Sequence, residues 1–148
     1  MTNNDKLFNA CEKGDLNAVK ALCEIGVDIH ANSDFSFQTA CKHGHLEIVK
    51  FLYEKDANIN ADNGLAFQLA CKYNKLEVAK FLYEIGANIH ANDNFAFELA
   101  CRYSKLEVVK FLYKNGAKHA DLDLGFRLAC KHNKTAVIEF LNSKIKVK

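Results

Sequence analysis

The stretch that decides the fold is Ala40–Leu52, which reads ACKHGHLEIVKFL, because close copies of it recur along the chain. Its Ala-Cys pair returns at intervals of 30, 30, 30 and 29 residues, with cysteines at Cys11, Cys41, Cys71, Cys101 and Cys130. Self-similarity at a fixed period of this size predicts a solenoid or repeat array.

Each repeat predicts two short helices. In the third copy, residues 67–73 and 76–83 carry apolar side chains at helical spacing. An Asn-, Asp- and Gly-rich loop such as 57–64 joins successive copies and is suited to capping the next helix. Neither helix is stable alone, so the copies must stack to bury their apolar stripes. The break between the two helices falls on residues that mostly tolerate positive φ: Gly14, Gly44, Asn74, Ser104 and Asn133.

These residues resemble ankyrin repeats. Ala40–Leu52 resembles the family motif Ala-Ala-x-x-Gly-His-x-x-Val-Val-x-x-Leu, and 86–93 resembles Gly-Ala-Asp-x-Asn-Ala-x-Asp. The resemblance covers residues 7–142 and implies an all-α, ankyrin-like solenoid of about five stacked helix-turn-helix repeats. We therefore expect a single domain over residues 1–148, with repeats at about 7–36, 37–66, 67–96, 97–125 and 126–142, followed by a frayed basic tail at 143–148.

Two departures from the family pattern affect the loops. The period is 30 instead of the usual ~33, which implies that the family's β-turn fingers are short or absent. The Thr-Pro-Leu-His motif is missing, and the residues placed to replace its unit-tying histidine are Gln38, Gln68, Glu98 and Arg127. The shortened repeat is similar to those abundant in giant viruses of amoebae, which implies a viral protein.

Composition excludes several classes of protein. The chain has 20 Lys and Arg against 18 Asp and Glu, a net charge of +2, which gives no general attraction to nucleic acid or membrane. No apolar stretch approaches the ~20 residues of a membrane span, and the polar N-terminus does not resemble a secretion signal. No nucleophile elbow, phosphate loop or zinc-protease motif occurs. We expect no enzyme activity and no cofactor.

The cysteines favour a structural role. Equivalent positions on stacked helices lie about 8–10 Å apart, beyond the ~7 Å limit for a disulfide. The five in-register cysteines should therefore be unpaired, and they take the place of a small buried alanine in the family. Six free thiols favour a reducing compartment, so we expect an intracellular, cytoplasmic protein, or host cytoplasm if it is viral. Cys-x-His pairs such as Cys41 with His43 point in different directions, so no metal site is expected.

The second helices carry repeated charged and aromatic residues. Three i, i+3 pairs predict a solvated outer face: Glu47 with Lys50, Glu77 with Lys80, and Glu107 with Lys110. Two aromatic series are expected to lie in the core or at its boundary: Tyr53, Tyr83 and Tyr113, and Phe51, Phe81, Phe111 and Phe140.

The candidate binding residues follow each Ala-Cys pair. In ankyrin repeats these positions line the concave surface of the first helices, and here they are basic followed by aromatic or imidazole: Lys42, His43, Lys72, Tyr73, Arg102, Tyr103, Lys131 and His132. Cations beside amphipathic rings suit a protein partner with an acidic or aromatic segment. Phe35, Leu65, Phe95 and Leu124 lie at loop tips or helix starts, where they either edge this surface or fill the core.

The resemblance implies a non-enzymatic protein–protein interaction module, which in a viral protein would engage a host protein. Two alternatives stay open. The regular basic and aromatic strip would also suit phosphates and stacked bases of a nucleic acid. The chain would otherwise be a purely structural or self-associating array.

Overall fold

Residues 1–146 are described by a computed structural model, and all regular structure in this range is helical. Each repeat unit contributes a helix A, which has an odd number, and a helix B, which has an even number. Neighbouring A helices pack side by side along the array. The predicted solenoid of five stacked helix pairs is confirmed. The helices are α1 (Asn3–Lys13), α2 (Leu16–Glu24), α3 (Ala31–His43), α4 (Leu46–Glu54), α5 (Ala61–Lys72), α6 (Leu76–Glu84), α7 (Ala91–Arg102), α8 (Leu106–Lys114), α9 (His119–Lys131) and α10 (Thr135–Ile145).

The turn from helix A to helix B is left-handed in every unit, as predicted. The φ angle is 79° at Gly14 and 59° at Ser104, the one residue in this series with no special tolerance for that conformation. Gly14 also leaves room for the ring of His45 in the next unit, from which a Cβ at this position would lie 2.7 Å. Tight turns therefore let helix B fold back against helix A.

The loops between units contain a second left-handed element. Three consecutive residues have positive φ at 32–34, 62–64 and 92–94, and the right-handed part of helix A begins directly after them. Asn, Asp and Gly dominate these triplets because they adopt this conformation at low cost. The prediction that loop side chains cap these helices is wrong for α3, α5 and α7, which have no side-chain cap. Residues 1–146 contain no strand, so no β-hairpin projects from the loops of that range. Three of the loops are instead closed by a short turn, in which the N–H of Ala31, Ala61 or Ala91 donates to the carbonyl three residues earlier.

Loop side chains instead tie successive units together. The Asp34 carboxylate accepts a hydrogen bond from the Asn58 backbone N–H at 3.0 Å, and Asn60 Oδ1 accepts one from the Asn88 N–H at 3.0 Å. Gln38 Nε2 donates to Asp62 Oδ2 at 3.0 Å, so this residue joins two units as expected. Its counterpart Gln68 donates to the carbonyl of Asn63 in its own loop.

The core follows the cysteine series with one exception. Cys11, Cys41, Cys71 and Cys101 are buried and all six thiols are free, as predicted, but Cys130 is exposed. Cys101 packs toward the following unit, since a Cβ added to Gly125 would meet its Sγ at 2.8 Å. No further A helix follows α9 within residues 1–146, so the expectation of burial was wrong for Cys130.

The three ion pairs predicted on the helix-B side are confirmed. Lysine Nζ lies 2.9–3.2 Å from glutamate Oε1 in each pair, and these side chains are exposed. Tyr53 and Tyr83 are 39% and 41% exposed, and each packs its ring against a phenylalanine of the next unit, at the boundary of the core as expected. The expected tail 143–148 is not frayed at its start, because α10 extends to Ile145. Val147 and Lys148 lie outside the described residues. Among residues 1–146 no helix has both the length and the apolarity to cross a bilayer.

Candidate functional site

A groove of about 330 Å³ lies on the helix-A side of the first three units, across α1, α3 and α5. We call it the helix-A groove. Its apolar lining comes from Phe8, Phe35, Leu65 and Leu69. Polar side chains complete its wall: Asn9, Glu12, Gln38, Thr39, Lys42, His43 and Tyr73. An apolar hollow with a few convergent polar groups is the usual form of a binding site.

Local backbone conformation puts Phe35 into this groove. The left-handed triplet 32–34 ends immediately before Phe35, which starts the right-handed part of α3. Its ring packs edge-to-face on Phe8 of the preceding unit, with centroids 5.0 Å apart, and 45% of the residue stays exposed. Of the two roles left open for this residue, it takes the one at the edge of the groove.

Lysine and tyrosine alternate along the continuation of this face. Lys42 Nζ lies 5.3 Å from the ring centre of Tyr73. Lys72 Nζ lies 5.4 Å from the same ring and 5.3 Å from that of Tyr103. We call this series the lysine–tyrosine ladder. Cation–π contact of this kind favours a fixed arrangement of the rings, while the two tyrosines remain 41% and 42% exposed.

His43 connects the groove to the first unit. Its Nε2 lies 3.9 Å from Glu12 Oε1, and its ring stacks on that of His45 with centroids 6.2 Å apart. Burial, and then the charge of Lys42, lower the pKa of His43 below its ordinary value of 6.5, although Glu12 acts in the opposite direction. At neutral pH His43 is therefore an uncharged, amphipathic ring in the wall of the groove.

Sequence comparison settles the family. A model described as ankyrin repeats (3 copies) matches residues 7–93 and 61–124, well over half of the chain. The chain belongs to the ankyrin-repeat family. Ankyrin repeats are generally protein–protein interaction modules, and proteins built from them are typically non-enzymatic scaffolds. A comparison with curated proteins finds no match.

The ankyrin fold brings together only part of the predicted site. The helix-A groove contains five of the predicted residues: Phe35, Lys42, His43, Leu65 and Tyr73. The ladder adds Lys72 and Tyr103. The others lie outside the groove: Phe95 and Arg102 are half-buried on α7, whereas Lys131 and His132 are exposed at the end of α9.

Sequence reasoning missed the apolar lining from Phe8 and Leu69 and the acidic Glu12. A signal for Leu69 was present, since it precedes Lys72 by three residues and must share its helix face. Thr39 likewise precedes Lys42 by three residues, so these two residues also share a helix face. Phe8 had no such signal, because it enters the groove only by packing on Phe35. Residues 1–146 hold no cluster of three or more His, Cys, Asp or Glu side chains placed to bind a metal ion.

Proposed function

We propose that this ankyrin-repeat protein is a non-enzymatic interaction module that binds a protein partner on the concave helix-A face. The observation that carries this proposal is the helix-A groove, in which an apolar lining meets the start of the lysine–tyrosine ladder. Interface centres combine buried aromatic anchors with a polar, partly wet rim. The groove supplies both within one rigid array, which lowers the entropic cost of binding.

The chemistry of the groove favours a partner segment that is both acidic and aromatic. Phe8, Phe35 and Leu65 offer apolar contact to an inserted side chain. Lys42 and Lys72 carry cations along the ladder, and Arg102 follows on α7, so carboxylates of the partner would be paired as it extends along the array.

The cellular setting belongs to the same proposal. All six cysteines are free thiols, a condition that persists most readily in a reducing compartment. These thiols support the proposal that the protein acts inside a cell, in the cytoplasm. The similarity to the shortened repeats of giant viruses extends the proposal to a viral protein that captures a host protein in host cytoplasm.

The test compares Phe35→Ala combined with Lys42→Glu against the native chain. The control is Lys114→Glu, an exposed lysine of α8 on the helix-B side. Proteins captured from a cell extract are identified by mass spectrometry, and the affinity of each purified partner is measured by calorimetry. We expect the groove variant to bind at least about tenfold more weakly, which corresponds to about 1.4 kcal/mol. Equal affinity of the groove variant and the control would refute the proposal.

The lysine–tyrosine ladder also suits a nucleic acid, since bases stack on tyrosine rings and phosphates pair with lysine. Binding of this kind weakens steeply with salt. Anisotropy of a fluorescent single-stranded oligonucleotide, measured at low and at physiological salt, therefore separates the two functions. A self-associating array is recognised by its mass in sedimentation equilibrium.

A further inference from the structure

The helix-B side of the array contains an aromatic contact that repeats at three unit junctions. A tyrosine ring of one unit packs edge-to-face on a phenylalanine of the next, with centroids 5.7–6.0 Å apart and ring planes at 85–87°. The pairs are Tyr53 with Phe81, Tyr83 with Phe111, and Tyr113 with Phe140. Three junctions between units therefore have a tyrosine ring in the same position against the phenylalanine of the next unit.

The first junction has the phenylalanine without the tyrosine. Phe51 occupies the phenylalanine position, but the repeat places Cys23 where the tyrosine would stand. A hollow of about 150 Å³ lies there, lined by Lys20, Cys23, Glu24, Phe51 and Lys55. A cavity of roughly this volume accommodates benzene in another protein, so the hollow has room for one aromatic ring.

A second substitution in the same unit changes the charge of this hollow. In the second, third and fourth units the lysine at the position of Lys20 pairs with a glutamate three residues earlier, but the first unit has Asn17 there. Within residues 1–146 Lys20 forms no ion pair, and its Nζ lies 5.8 Å from the ring centre of Phe51. Lys55 Nζ also lies 5.8 Å from the ring centre of Phe51. With Glu24 as the only acid, the lining has a net positive charge.

We propose that this hollow, which we call the Phe51 slot, binds the aromatic side chain of an acidic protein segment. The ring takes the position that tyrosine holds at the other junctions, edge-on to Phe51. Carboxylates beside it pair with Lys20 and Lys55 in place of the missing glutamate. The slot lies on the helix-B side, so it is a second site, separate from the helix-A groove.

The probe is a short synthetic peptide with a single tyrosine between glutamates, added to the isotope-labelled protein. We expect saturable NMR shift changes of Lys20, Phe51 and Lys55, and changes at least about fivefold smaller with a peptide that has alanine in place of tyrosine. Shifts that do not saturate at millimolar peptide, or that are equal for the two peptides, would overturn the proposal. Saturable shifts confined to the helix-A groove would overturn it as well.

The variants Cys23→Tyr and Cys23→Ala form a matched pair. The tyrosine should complete the series of ring pairs, block the peptide and keep or raise the melting temperature, whereas alanine should leave binding intact. Lys20→Glu, an exposed change that does not depend on refilling the slot, should weaken peptide binding at least about fivefold. Undiminished binding in Cys23→Tyr or in Lys20→Glu would refute the site, and neither variant alters the helix-A groove.

Discussion

The carboxylate of Asp34 accepts a hydrogen bond from the backbone N–H of Asn58 and so joins two successive loops of the array at 3.0 Å. The same Oδ1 lies 2.9 Å from His30 Nδ1, and Asp34 is only 4% exposed. Asn60 makes the corresponding bond to Asn88. Side chains from left-handed triplets and loop ends thus hold the short loops of neighbouring units together.

Replacement of Asp34 by alanine should destabilise the array. It removes the acceptor for the Asn58 N–H, worth about 1–3 kcal/mol, and puts alanine at a φ of 60°, a conformation that costs roughly 1–2 kcal/mol. We expect urea denaturation to show a loss of about 2–4 kcal/mol. Asp34→Asn is the control, because asparagine keeps an oxygen acceptor and stands at the equivalent Asn94. Equal losses in the two variants would contradict this explanation.

The contrast between two cysteines tests the packing of the A helices. Cys71→Asp would bury an unpaired charge, and we expect a loss of about 3 kcal/mol or more. Cys130→Asp places the same charge on an exposed residue of α9, where a change within about 0.5 kcal/mol is typical. Thermal melting followed by circular dichroism measures both. An unaltered melting temperature for Cys71→Asp would show that the cysteine series is not core.

His43 should make stability depend on pH. Because burial and Lys42 lower its folded-state pKa below 6.5, the unfolded chain binds the proton more readily. Stability therefore falls as the pH drops through 6.5 toward the folded-state pKa. We expect NMR titration to give His43 a pKa below its ordinary value of 6.5. His43→Gln should reduce the loss of stability between pH 7 and pH 5, and an unchanged pH profile would contradict the assignment.

Charge reversal beyond the groove tests how far the partner extends. We expect Lys72→Glu combined with Arg102→Glu to keep the helical circular dichroism spectrum and to abolish partner capture, because both cations of this part of the face are lost. Lys72→Gln with Arg102→Gln is the matched neutral control and should give an intermediate affinity. Unchanged affinity for the doubly reversed variant would restrict the site to the helix-A groove.

The fold was largely predictable because its signals are local. Helical spacing of apolar side chains, and Gly or Asn at the turns, act within a few residues of the chain. The 30-residue period then requires equivalent stacking, which placed Cys71 in the core. The left-handed triplets were not predicted, since an Asn- and Asp-rich loop suits several turn types. The caps expected from Asn and Asp side chains of these loops do not form at α5 and α7.

The sequence by itself determined the units, their helices and the series of residues that face the same way, because each of these depends on neighbours in the chain. Only the tertiary structure decided which members of a series meet. Cys130 is exposed because no A helix of residues 1–146 follows α9. Phe8 enters the groove because it packs on Phe35, and the slot at Phe51 exists because Cys23 is too short to fill it. Contacts between units depend on shape and distance across the array, and the period of a repeat specifies neither.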